Sequence, residues 1–340
     1  AERELAKELK SRGAIVRLTD LPDLPGYEKT GADDFLAHAA GGPEKMLSLI
    51  ELAKEYEPDL LRYAHNDAGN AERIIALYGG KIRYSPPIRK WYHWTGTHWE
   101  TDTTGVVQKY AKLTFTEFHR QAIDAKNEEA EAFARRSLDA RRIDNALYLA
   151  QCELPILISE LDCNPDLLNF QNGTVELRTG KLYPHRPEDF ITKLIRYDYN
   201  PDAKCAQFLA FLKRIMGRDL SGEERANRLI DFLQVAFGYS LIGTTIEKIV
   251  LICHGMGDNG KSTLLELWRV LVADYAATIN IDSLMSKQVG NNELSDLADL
   301  RGARFVRSSE TEQGQRLNEA RLKRITQGMG VIRTCRKYEN

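Results

Sequence analysis

The nine residues Gly255-Met256-Gly257-Asp258-Asn259-Gly260-Lys261-Ser262-Thr263 match the pattern G-x-x-x-x-G-K-[ST] in full. The chemistry of this spacing is phosphate binding. Main-chain N–H groups must converge on phosphate oxygens, and glycine allows the backbone angles and close approach that a Cβ would block. Lys261 is expected to reach the β- and γ-phosphates of ATP, and the Ser262 hydroxyl to sit on Mg2+. All nine residues are candidate nucleotide contacts. From average residue usage, the bare pattern arises by chance in about one chain in a hundred of this length. The competing explanation is a glycine-rich turn carrying an exposed lysine.

The elements around the loop must position it. Ile249-Val250-Leu251-Ile252-Cys253 is a short apolar run with β-branched residues, which predicts a buried parallel strand entering the loop. Leu264 to Leu271 predicts an apolar helix leaving it, whose positive dipole end faces the phosphates. A carboxylate on a neighbouring strand is also needed. Ala303 to Glu310 predicts that strand and sets Glu310 at its C-terminal end, where ligands collect in open α/β sheets. Glu310 is the candidate general base or water-orienting group, and with Ser262 the candidate Mg2+ ligand, directly or through water. Alternatively it is an ordinary solvated glutamate. Leu317 to Gln327 then predicts a basic helix, broken by Gly328-Met329-Gly330, and Val331 to Lys337 a strand. Arg333, Arg336 and Lys337 are candidate contacts to DNA phosphates, against the alternative of plain surface charge.

Upstream, residues 1–12 predict a helix, Ala14 to Leu18 a strand, and Gly31-Ala32-Asp33-Asp34-Phe35-Leu36 the start of a helix with Asp33 or Asp34 as its N-cap. Residues 44–56 predict a helix and 57–75 a polar connection. Trp91-Tyr92-His93-Trp94, Thr95-Gly96-Thr97-His98 and Trp99 predict a β-hairpin with a glycine turn. Its aromatics suit a small core better than base stacking, and His93 and His98 are read as structural. Residues 106–152 have helical periodicity. Leu167 to Arg178 predicts a hairpin with an Asn-Gly turn, followed by a second turn at Thr179-Gly180-Lys181. Residues 204–240 predict two helices separated by Gly217 and Ser221-Gly222.

The 340 residues suffice for two or three domains. With 43% hydrophobic and 28% charged residues, the composition is that of a globular chain, and no stretch of 18 apolar residues predicts a membrane span. Five scattered cysteines without a C-x-x-C pair argue against a zinc site or a disulfide framework, and suggest a reducing cytoplasm. The polar N-terminus carries no signal peptide and no initiating Met, which reads as a fragment of a longer chain. Residues 301–340 hold ten Arg or Lys against four Glu, a balance of +6 within an overall charge of −2. A basic end on an acidic body suits a polyanionic partner.

Taken together, these segments resemble the phage/plasmid and poxvirus primase-helicases, which carry a superfamily-3 helicase behind a dedicated preceding domain. The resemblance rests on Phe170 to Gly180, Pro184 to Phe190, Phe232 to Leu241, the loop at 255–263, Ser309-Glu310 as the Walker B end, and Leu322 to Gly328. It covers roughly residues 80–340. The first 40 residues are similar to the end of a toprim-like domain through Gly31 to Leu36. The family carries Gly-Gly-Asp where this chain has Gly328-Met329-Gly330.

The resemblance implies an α/β fold. A P-loop NTPase core, AAA+-like, would occupy 221–340, behind a mixed α+β domain at 61–220 and the α/β remnant at 1–60. It also implies ATP and Mg2+ as cofactors, single-stranded DNA as partner, a homo-oligomeric hexamer ring, and the cytoplasm of a bacterial host. The family's sensor residue and arginine finger are expected beyond Asn340, so these residues alone should bind nucleotide weakly and turn it over poorly. Two other readings of the loop stay open. One is a P-loop enzyme acting on a small molecule, and the other a nucleic-acid-binding or assembly module that holds nucleotide without turnover.

Overall fold

A computed structural model describes residues 5, 9, 16–22, 24–25, 30–38, 41–55, 57–217, 223–255, 259–279, 281–285, 300–308 and 317–326. Its architecture is mixed α and β, and it divides into two compact units. Unit 1 comprises Ala1–Trp94 and Thr101–Ile156, and unit 2 comprises Thr95–Glu100 and Leu157–Asn340.

In unit 1, β1 (Arg17–Leu18) pairs antiparallel with β2 (Lys54–Glu55), and α1 (Ala32–Ala37) and α2 (Pro43–Leu52) lie between them in sequence. Neither Asp33 nor Asp34 is the N-cap of α1. Gly31 holds that position, and its N–H donates to the Asp34 carboxylate at 3.1 Å. An acid three residues into a helix reaches back to the cap more readily than it caps from within. The helix expected over 44–56 ends at Leu52, because the chain turns there to make β2.

The polar connection expected at 57–75 is replaced by α3 (Asp67–Tyr78), capped by Asn66, whose side chain accepts the Gly69 N–H at 2.8 Å. Composition misled here because the polar residues are used internally. Arg73 is fully buried and donates to the carbonyls of Leu60 (2.9 Å), Ala64 (2.9 Å) and Tyr63 (2.6 Å). Its guanidinium lies 3.8 Å from the centre of the Phe118 ring. Burial lowers its pKa to about 10, against the pull of Glu72 and Tyr63.

Strands β3 (Ile82–Ser85) and β4 (Lys90–Trp94) form an antiparallel hairpin, with Tyr84 opposite Trp91. Three helices follow, α4 (Val106–Asp124), α5 (Glu128–Ser137) and α6 (Ala140–Ala150), as the periodicity of 106–152 requires. Their apolar stripes bury Ile74, Ile82, Phe115 and Leu147 in one cluster and Leu60, Phe118 and Phe133 in another. The start of α4 is fixed by Asp102, whose carboxylate accepts N–H groups from Thr104, Gly105, Val106 and Val107 at 2.8–3.1 Å.

Unit 2 begins with the expected turn at Thr95–His98, where Gly96 adopts φ +103 and the Thr95 N–H donates to the His98 carbonyl. The buried His98 ring contacts the hydroxyls of Thr95 and Thr97 and the Glu100 carboxylate, so its partners lie in its own turn and the strand that leaves it. Trp99, in β5 (Trp99–Thr101), is buried and donates its indole N–H to the Pro187 carbonyl. This supports core rather than base-stacking use.

Strands β6 (Leu167–Phe170), β7 (Gly173–Glu176) and β8 (Lys181–Tyr183) form a meander. The first turn is Gln171-Asn172 rather than Asn-Gly. Phe170 pairs with Gly173, so that glycine already belongs to the strand. Its would-be Cβ lies 2.4 Å from the Tyr183 carbonyl oxygen, and close strand packing is why glycine stands there. Helices α7 (Ala206–Gly217) and α8 (Glu223–Leu241) follow as expected. Then come α9 (Lys261–Val272), β9 (Ala276–Ile279), β10 (Phe305–Ser308) and α10 (Glu319–Thr326). Strands β9 and β10 pair in parallel.

The predicted strand Ile249–Cys253 is not formed. Its residues lie outside any ladder, and Ile252 is 78% exposed. A buried parallel strand requires hydrogen-bonding neighbours on its edges. Among the described residues β9 and β10 pair only with each other. Among those residues, too, no helix is long and apolar enough to cross a membrane, and no three His, Cys, Asp or Glu gather as a metal cluster.

Candidate nucleotide site

The candidate site is built on α9. This helix forms where predicted, starts at Lys261, and is fixed by its apolar face. Leu264 is buried with Leu212, Ile215 and Phe237 of α7 and α8. Trp268 stacks on Phe237 with ring centres 4.4 Å apart, and its indole N–H donates to the Ser240 hydroxyl at 3.1 Å. The helix N-terminus is therefore held by a rigid apolar anchor about one turn away.

Two glycines shape the approach to that N-terminus. Gly255 adopts φ +155 and Gly260 φ +80. Gly260 caps α9 in the left-handed region, where an L side chain is strained. A Cβ on Gly260 would also lie 2.7 Å from Ile215 Cγ2, and one on Gly255 would lie 2.3 Å from the Asn259 amide nitrogen. Lys261 folds over this turn. Its ammonium donates to the Gly255 carbonyl at 2.9 Å and the Asn259 side-chain oxygen at 2.8 Å. Ser262 and Thr263 are exposed on the first turn of α9. A helix N-terminus, a cation and an exposed hydroxyl together are chemically suited to oxyanions and to a phosphate-bound cation. Met256, Gly257 and Asp258 lie outside the described residues.

The parallel pair β9–β10 packs beside α9 and has a defined direction. The Arg304 N–H, just before β10, donates to the carbonyl of Tyr275, just after α9. Three residues further on, Arg307 pairs with Glu266 of α9 at 2.7 Å. The strand therefore runs antiparallel to the helix, toward the end where Lys261 lies. Glu310, two residues past β10, lies outside the described residues, as do Arg333, Arg336 and Lys337.

Several polar groups that fix this arrangement were not signalled by any motif. Arg304 donates to the carbonyls of Asn164, Pro165, Leu167 and Leu241, at 2.5–3.3 Å. Its guanidinium also lies 5.0 Å from the centre of the Tyr275 ring. Burial lowers the Arg304 pKa, opposed by Tyr275, Asp162 and Asp166, and burial raises that of the Tyr275 phenol. The Tyr275 hydroxyl accepts the Asn169 N–H at 3.1 Å. Asp274, in the turn after α9, accepts from Arg196 at 2.5 Å and from the Leu194 N–H at 3.3 Å. Glu266 bonds Arg269 as well as Arg307, and these contacts hold its carboxyl below the usual range. The one available signal was an arginine, Arg304, inside a predicted strand, which is ordinarily a surface feature.

Residues 71–217 match the family described as D5 N terminal like. The chain is 25% identical over 239 residues to "Putative helicase L207/L206" of Acanthamoeba polyphaga mimivirus, covering 66% of this chain and 24% of that protein. It is 29% identical over 175 residues to "Putative primase C962R" of African swine fever virus (strain Badajoz 1971 Vero-adapted), covering 49% and 18%. "Putative helicase 184R" of Invertebrate iridescent virus 6 matches at 29% over 111 residues, covering 31% and 11%. The matched part thus spans a quarter or less of each of these relatives. With residues 71–217 matching a D5 N-terminal-like domain and relatives named for helicase and primase, the chain is similar to the D5-like primase-helicases.

Proposed function

We propose that this chain is the ATP-binding, DNA-translocating segment of a replicative primase-helicase, with an AAA+-like P-loop core at its C-terminal end. The observation that carries the reading is the start of α9. There a left-handed Gly260 caps the helix and the Lys261 ammonium is gathered over the preceding turn. Strand β10 also runs toward that end. In this reading Gly255–Thr263 wrap the triphosphate with main-chain N–H groups, Lys261 neutralises it, and the Ser262 hydroxyl holds Mg2+. The metal, when bound, offsets charge on the phosphates. Glu310 takes or orients the proton of the attacking water. Arg333, Arg336 and Lys337 contact phosphates of single-stranded DNA within a hexameric ring of identical chains. The viral relatives named for helicase and primase support the replication role.

The test is ATP hydrolysis by the full-length protein with and without single-stranded DNA, in wild type and Lys261→Ala. DNA-stimulated turnover that falls at least a hundredfold in the variant and stops on Mg2+ chelation is expected, since both groups act on the transferred phosphoryl. Turnover indifferent to DNA would favour a small-molecule enzyme instead. Tight nucleotide binding with no turnover would favour an assembly module.

A further inference from the structure

Strand β10 is tied to its surroundings at two heights. At its start, Arg304 spreads its guanidinium over four carbonyls from the 164–167 segment and the end of α8. This fixes where the strand begins but lies at the far end from Lys261. The second tie is the Glu266–Arg307 pair. It is the ion pair that joins β10 to α9 among the described residues.

The position of this pair is informative. Glu266 lies five residues into α9 from Lys261, about 7.5 Å along the helix axis. Arg307 is one residue from the end of β10, and the strand advances about 3.3 Å per residue toward the Lys261 end. The bridge therefore ties β10 to α9 on the side that runs toward Lys261. Glu266 is held in place by a second contact, since Arg269 donates to the same carboxylate oxygen through two nitrogens at 2.6 and 2.9 Å. Arg307, 32% exposed, approaches the other oxygen. An exposed pair of this kind adds little to folding stability. Its geometric effect can still be large, because displacing a reacting group by about 1 Å can cost about a hundredfold in rate.

We infer that Glu266 and Arg307 are positioning residues for nucleotide hydrolysis, acting through the end of β10, which Glu310 follows in sequence, and not through contact with nucleotide. The inference rests on the nucleotide-site reading above. Nucleotide binding depends on the loop and on Lys261, which the contacts of buried Leu264 and half-buried Trp268 hold independently of the bridge. The pair should therefore affect turnover and spare affinity.

The experiment measures kcat for DNA-stimulated ATP hydrolysis and nucleotide Kd on the full-length protein. The variants are Glu266→Gln, Arg307→Gln, the double variant, and Arg307→Lys. Each Gln variant should lose about tenfold in kcat with Kd within about twofold of wild type, and the double variant should lose no more than either single one. Arg307→Lys should recover most of the rate, because a single N–H contact to Glu266 suffices. Thermal melting separates a folding defect, and all four variants should melt with wild type. Multiplying losses in the double variant, unchanged kcat in the singles, or a Kd change as large as the kcat change would each overturn the inference. Lys261→Ala, run alongside, tests the underlying reading. If it leaves turnover intact, the nucleotide site itself is misassigned. If it abolishes turnover while the bridge variants behave as wild type, only the positioning role fails.

Discussion

Replacing Gly260 by alanine should damage the start of α9 through two separable effects. The backbone there has φ +80, and holding an L side chain in the left-handed region costs about 1–2 kcal/mol. The new methyl would also lie 2.7 Å from Ile215 Cγ2, 3.3 Å from Cβ and 3.5 Å from Cδ1. Ile215 is itself buried against Leu212, Phe237 and Leu264, so it has little room to retreat. Overpacking of this kind costs about 1–3 kcal/mol. The sum, about 2–5 kcal/mol, is a large part of the roughly 5–15 kcal/mol stability of a domain. Urea denaturation followed by near-UV circular dichroism measures it. The companion variant is Ile215→Ala, which removes the clashing methyl. In the double variant the overpacking share should vanish, giving a favourable coupling of about 1–3 kcal/mol, while the φ strain remains. A Gly260→Ala protein within about 0.5 kcal/mol of wild type would refute the strain argument. So would strictly additive single effects. In either case Gly260 would not be shaping this turn as described.

Arg73→Met keeps the apolar stem but strands the carbonyls of Leu60, Tyr63 and Ala64 and removes the cation from the Phe118 ring. Thermal and urea unfolding should show a loss of about 3–5 kcal/mol, and a loss below about 1 kcal/mol would contradict the burial argument. Asp102→Asn tests the cap of α4. Burial alone would raise the Asp102 carboxyl, but backbone N–H groups from Val107, Val106, Thr104 and Gly105 outweigh it, so its pKa lies below the ordinary 3.8. A depressed carboxyl contributes stability that is present above the unfolded value and lost as pH falls through the folded one. Melting curves of wild type and Asp102→Asn should therefore be separated at neutral pH and converge below pH 3.8. A gap that is constant with pH would exclude the charge as its cause.

The features legible in the sequence are those that depend on neighbours a few residues away. The helix leaving the loop, the break between α7 and α8 near Gly217, the meander of β6 to β8 and the three helices after residue 106 follow from apolar periodicity and turn residues. The loop motif itself is local, because glycines, lysine and hydroxyl must stand at fixed offsets to meet one ligand. The tertiary structure decided what depends on distant partners. Arg73 reads as part of a polar connection until Leu60 and Ala64 supply acceptors and Phe118 a ring and a reason for burial. Ile249–Cys253 has the composition of a buried strand, but composition cannot supply the edge partners a strand needs, and it lies exposed. Arg304 reads as surface charge until carbonyls more than sixty residues away in sequence surround it. Arg307 and Glu266, more than forty residues apart, become a pair only once β10 packs on α9. Local sequence thus wrote the loop, and long-range packing alone determined the spacing and direction of the elements around it.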